Sequence, residues 1–192
     1  MGQYYNPIIL TKTKKNVKAW AYSHDYGNGL KLMEHSWKGN NFVDRIAKEI
    51  INKPLNIVWA GDYADSELDK EGNERKNKKG YGINLYSLCK DSKMLPKEDV
   101  KIDYDKYRFL VNHDKQEYLD MTELPLTEEY NGFDYRVHPL PLLTCEGNGR
   151  GGGDYRATGR SEKYIGKWAR DKVSLEEKQP TDYFKIVPNF KE

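Results

Sequence analysis

A chain of 192 residues is long enough for one domain with a buried core. Hydrophobic residues make up 37%, charged residues 32%, and the formal net charge is only +2. Acidic and basic side chains are interleaved, which argues against nucleic acid as a partner and against the strongly acidic surface of a DNA mimic.

The opening MGQYYNPIIL lacks the basic start and long apolar run of a signal peptide, and no later stretch approaches membrane-spanning length. A cytoplasmic protein is therefore expected. Residues 4–10 and 17–22 are rich in aromatic and branched side chains, and the polar TKTKKN between them predicts a hairpin. Asn40 and Asn41 are suited to cap a helix running to about Asn52. Its apolar residues Phe42, Val43, Ile46, Ala47, Ile50 and Ile51 share one face, Asp44, Arg45, Lys48 and Glu49 lie opposite, and Pro54 ends it. NIVWA at 56–60 predicts a buried strand. Residues 66–80 contain nine charged residues of fifteen and no apolar period, which predicts an exposed, mobile loop.

A second hairpin is expected from 107–112 and 117–121, turning at His113-Asp114-Lys115-Gln116. HPLPLLT at 138–144 carries two prolines, which predicts an extended segment at or beyond a sheet edge. Residues 164–175 are expected as a strand holding Ile165, Trp168 and Val173. The pattern as a whole predicts a single α+β domain over 1–192, mainly antiparallel sheet with one or two packed helices.

CEGNGRGGGDYRATGR, residues 145–160, holds six of the sixteen glycines with three arginines among them. It fails the P-loop pattern, because no Gly-Lys-Ser/Thr follows, and no βαβ unit surrounds it. Two readings remain. One is an anion-binding backbone nest in which Asn148, Arg150, Asp154, Tyr155, Arg156 and Arg160 contact the ligand, the arginines gripping phosphate and Tyr155 stacking on a base. The other is a structural loop whose glycines make tight turns and whose Asp154 pairs with an arginine.

The remaining chemistry-bearing residues form a second candidate set: His24, His35, Asp62, Asp65 and Glu146, as metal ligands or acid–base groups of a small hydrolase. No histidine pair has helical HxxxH spacing, so no metal site is signalled, and no cofactor is expected. Histidines next to acids in sequence, as in Ser23-His24-Asp25, point to different faces of an extended chain and do not by themselves make a triad. Asp62 and Asp65 follow the NIVWA strand, where carboxylates serve as catalytic acids or, equally, as turn formers. Cys89 and Cys145 have no CxxC partner and are expected as reduced thiols, Cys145 as a small buried group.

MGQYYNPIIL, AYSHDYGNGLKLMEHSWKGNNFV, VWAGDYAD, FLVNHDKQEYLDM and HPLPLLTCEGNGRGGGDY together resemble a group of small phage-encoded accessory proteins that begin Met-Gly-Gln-Tyr-Tyr. The resemblance spans most of the chain. It implies expression in the host bacterial cytoplasm, a gene outside the virion-building set, and a role against host defence. It assigns no functional residue.

The leading expectation is accordingly a non-enzymatic phage protein that binds a host defence protein or an anionic, nucleotide-like signal through the Gly/Arg loop. The fifteen tyrosines suit such recognition. A metal-dependent hydrolase acting on a nucleotide or phosphodiester, and a homo-oligomeric interaction module, are the alternatives.

Overall fold

Leu55–Gly61 (LNIVWAG) is apolar enough to be buried on both faces, and the fold is arranged around it. In chain order the strands and helices are β1 (Tyr5–Leu10), β2 (Val17–Trp20), α1 (Asn41–Glu49), β3 (Leu55–Gly61), α2 (Leu85–Leu88), β4 (Phe109–Asn112), β5 (Glu117–Asp120), β6 (Glu128–Tyr130), β7 (Phe133–Tyr135), α3 (Pro139–Thr144), β8 (Cys145–Glu146), β9 (Lys172–Glu176) and β10 (Phe184–Lys185). This computed structural model describes residues 3–126, 128–130, 133–150 and 161–190; for 128–130, 133, 134 and 150 it describes the backbone alone.

Eight strands form one sheet in the order β10-β5-β4-β9-β3-β1-β2, with β8 also on β3, while β6 and β7 make a separate hairpin. Most pairings are antiparallel; β10 on β5 and β8 on β3 are parallel. The protein is thus α+β with the sheet dominant. Both expected hairpins are present, β1 with β2 and β4 with β5.

Side-chain alternation explains why β1 and β3 are buried on both faces. Tyr5, Ile9, Ile57 and Trp59 face one core with Phe42 and Ile46 of α1 and its C-cap Ile50, whereas Ile8, Leu10, Val58 and Ala60 face another with Leu85 and Cys89 at α2. The helix begins where the sequence places it, with Asn40 Oδ1 accepting from the Phe42 N–H.

Two expectations fail. Residues 138–144 are not extended: Pro139–Thr144 is the helix α3. Its prolines occupy positions 1 and 3 of the first turn, where backbone N–H groups have no intrahelical partner to lose. His138 Nδ1 accepts from the Leu140 N–H as the cap. Residues 164–175 are not one strand either. A 3-10 turn at Glu162–Tyr164 and further turns precede β9, because Gly166 and Arg170 both take left-handed backbone conformations (φ 66° each). The second positive φ bends the chain at the point where β3 exchanges neighbours, from β9 at Leu55 and Asn56 to β8 at Trp59 and Ala60.

The charged segment 66–80 is largely exposed, as expected. Apart from the buried Glu67, its shape comes from local turns: Asp69 Oδ1 accepts from Glu71 and Asn73, and Asn77 Oδ1 from Lys79 and Tyr81.

Candidate functional site

Two of the five predicted catalytic residues, His35 and Glu146, are sealed in buried hydrogen-bond networks. His35 is fully buried between two partners: its Nε2 accepts from Trp59 Nε1 at 3.1 Å, so Nδ1 carries the proton and donates to the Gly29 carbonyl at 3.2 Å. Burial lowers its pKa to about 4, against the smaller upward pull of Gly29 and Glu34. His24 is exposed and stacks on Tyr22, with ring centroids 5.0 Å apart. Asp62 accepts from the Tyr4 N–H at 3.0 Å, and Asp65 lies on the surface. Glu146 is sealed at 2% exposure and clamped by Arg170, whose guanidinium also grips Glu67 through two hydrogen bonds of 3.0 and 2.6 Å. Burial works against the Arg170 charge, but the two carboxylates outweigh it and raise its pKa. This ion cluster ties the excursion between β3 and α2 to the end of β8. Cys145 is buried and its thiol donates to the Leu142 carbonyl, as expected of a small packed group. Among the described residues no three His, Cys, Asp or Glu converge as a metal site.

Of the predicted ligand-binding set, Asn148 is exposed in a 3-10 turn directly after β8. The backbone of Arg150 ends that turn. Asp154, Tyr155, Arg156 and Arg160 lie outside the described residues.

A cavity of about 610 Å³ opens elsewhere, lined by Lys38, Gly39, Lys101, Ile102, Asp103, Tyr104, Asp105 and Arg136. Three segments build it. The first leads into α1, and the second runs alongside it: the Lys38 N–H donates to the Arg136 carbonyl at 2.9 Å, next to a bridge between Trp37 and Val137. That pairing sets two cations side by side. Each is anchored further, Lys38 Nζ to the Met121 carbonyl at 3.1 Å and Arg136 Nη1 to the Leu124 carbonyl. The third segment is a strap that crosses α1: Pro96 accepts from Arg45, Glu98 pairs with Lys48, and the Ile102 N–H donates to Asp44.

Under the strap lies a polar chain with a definite direction. Because His138 Nδ1 accepts from Leu140, its Nε2 carries the proton and donates to Tyr104 Oη at 2.8 Å. Tyr104 Oη then donates to Asp44 Oδ1 at 2.5 Å. All three side chains are buried. Burial lowers the His138 pKa to about 3, with Lys38 contributing, so the ring is neutral. Burial also raises Asp44, partly offset by the donors Tyr104 and Ile102, and it raises the Tyr104 phenol well above its ordinary value. At the cavity wall, burial lowers the Lys38 pKa; Asp105 pulls it back up and Arg136 pushes it down. Lys38 Nζ stands 5.5 Å from the centre of the Tyr104 ring.

None of the cavity residues belonged to the predicted sites, and Asp44 was assigned to the solvent face of α1. The helix period places Asp44 correctly relative to its neighbours but takes no account of the strap, which covers that side and leaves Asp44 with no exposure. One local signal did exist: KIDYDK alternates apolar Ile102 and Tyr104 with charged neighbours, the mark of a segment with one face inward.

Fold and cavity together define an α+β protein with an eight-stranded, mostly antiparallel sheet and a charged cavity beside its main helix. No protein-family model matches the chain, and no curated protein or solved structure matches it either.

Proposed function

We propose that this chain is a non-enzymatic binding protein that captures an anionic, nucleotide-like ligand in the cavity walled by Lys38, Lys101 and Arg136. The supporting observation is the cavity itself: three cations converge on about 610 Å³, within the range of roughly 300–1,000 Å³ typical of small-molecule sites. Its floor is held by the His138–Tyr104–Asp44 chain, so the wall is set before a ligand arrives, which limits the ordering cost of binding. The reading moves the anchor away from the glycine loop. In the phage setting implied by the sequence resemblance, the ligand is a host defence signal and the protein acts by withholding it.

The hydrolase alternative has less support, because His35 and Glu146 are buried with their polar atoms engaged. Titration calorimetry with cyclic dinucleotides and ADP-ribose derivatives tests the proposal. Binding of at least one, weakened about tenfold or more by Lys101→Ala, is expected from loss of a charge-assisted contact. Absence of heat with every ligand, or binding indifferent to Lys101→Ala and Arg136→Ala, refutes it.

A further inference from the structure

The cavity wall is not uniformly cationic. Asp103 and Asp105 stand among the three cations, so the lining carries one net positive charge, three cations less two carboxylates. Asp44, directly beneath the floor, and Asp120, which also acts on Lys38, add negative field from behind. Asp44 and Asp120 have partners of their own in Tyr104 and Arg108, but a site built only to hold anionic charge gains nothing from Asp103 and Asp105 on its wall. Phosphate-dense ligands would bring further negative charge against them at short range, where the repulsion is worth most.

Carboxylates have another use, because they accept hydrogen bonds from hydroxyl groups. Asp103 Oδ1 is occupied by the Asp105 and Lys106 N–H groups, which orient that carboxylate on a turn. The apolar contribution is small: Ile102 and Tyr104 are 8% and 5% exposed, too little to form a stacking platform for a base. The wall therefore reads as a phosphate contact next to a hydroxyl contact.

Resting on the anion-binding reading above, we infer that the cavity recognises the sugar-phosphate portion of its ligand. It takes a phosphate mono- or diester carrying no more than two negative charges, with sugar hydroxyls on Asp103 and Asp105, and rejects polyphosphates. Lys38, Lys101 and Arg136 hold the phosphate. The aspartates are the specificity-determining residues. They admit ligands with hydroxyls close to the phosphate and repel ligands whose charge extends along a polyphosphate chain. This class includes cyclic dinucleotides and excludes nucleoside triphosphates.

The test is independent of base identity. Ribose 5-phosphate, ribose, inorganic phosphate and 5-phosphoribosyl pyrophosphate are titrated into the full chain at low salt without divalent cations, with chemical-shift perturbation or calorimetry as the readout. Ribose 5-phosphate is expected to bind at least tenfold tighter than each of the other three. Asp105→Asn, at an exposed position that leaves the fold intact, is expected to improve phosphoribosyl pyrophosphate binding about tenfold, from removal of one close like charge, and to weaken ribose 5-phosphate. Ribose 5-phosphate and phosphoribosyl pyrophosphate binding equally, or an unchanged ratio in Asp105→Asn, overturns this inference while leaving anion binding in place. Failure of all phosphate-bearing probes to bind overturns both.

Discussion

Replacing Tyr104 by Phe removes one oxygen from the centre of the buried chain and little else. The ring keeps its edge contact with His138, at a centroid separation of 5.4 Å, and its place below Lys38. What disappears is the donor to Asp44 Oδ1 and the acceptor for the His138 Nε2–H, both on side chains with no exposure. A buried polar group left without its partner costs roughly 1–3 kcal/mol, so the pair should cost about 2–6 kcal/mol. That is a large share of the roughly 5–15 kcal/mol by which most domains are stable. Urea unfolding at pH 7 should show the loss as a lower midpoint with an unchanged slope.

The pH dependence separates this mechanism from simple loss of packing. Asp44 has a raised pKa even with Tyr104 donating to it, and removing a donor that favours the charged form raises it further. A carboxyl whose folded pKa is raised favours folding below its unfolded pKa of about 3.9, and that contribution is lost as pH rises through the folded value. The penalty of Tyr104→Phe should therefore be largest at neutral pH and shrink towards pH 4, as Asp44 takes up a proton. A penalty below about 0.5 kcal/mol, smaller than the cost of even one orphaned buried group, would refute the reasoning, and so would one independent of pH.

The buried histidines set a second expectation. His35 and His138 have folded pKa values lowered to about 4 and about 3, so their contribution is intact above the unfolded value near 6.5 and declines as pH falls from there. Near pH 5 the unfolded chain binds about two more protons through them, a slope of about 3 kcal/mol per pH unit that Asp44 partly opposes. Chemical denaturation across pH 4.5–7 measures it, and a flat profile counts against the buried neutral assignments. Arg170→Met withdraws the guanidinium from two carboxylates at 2% exposure each and should cost about 3–5 kcal/mol, as when one partner of a buried pair is removed. It should also speed cleavage within 66–80 under limited proteolysis; wild-type stability and cleavage would show that the cluster does not hold that excursion down.

Elements defined by neighbours in sequence were legible. The period of Phe42, Ile46 and Ile50, the Asn40 cap, the branched run of β3 and the two hairpins all follow from contacts a few residues apart, and the structure contains each of them. The 138–144 segment misled because proline is ambiguous: it excludes the interior of a sheet and of a helix alike but is at home in a helix's first turn, and only the His138 cap decides between them. Arg170 gave no local sign of its role, since its partners Glu67 and Glu146 are 103 and 24 positions away.

Composition and periodicity by themselves determined the α+β class, the main helix and the strands β1 and β3, because burial of an apolar face is a demand each segment makes locally. The tertiary structure alone decided which charges are sealed and which converge. Tyr104 meets Asp44 and His138, and Lys38 meets Arg136, across separations of 34 to 98 residues. Electrostatic environment depends on distance in space and on exclusion of water, and neither is written in the spacing of residues along the chain.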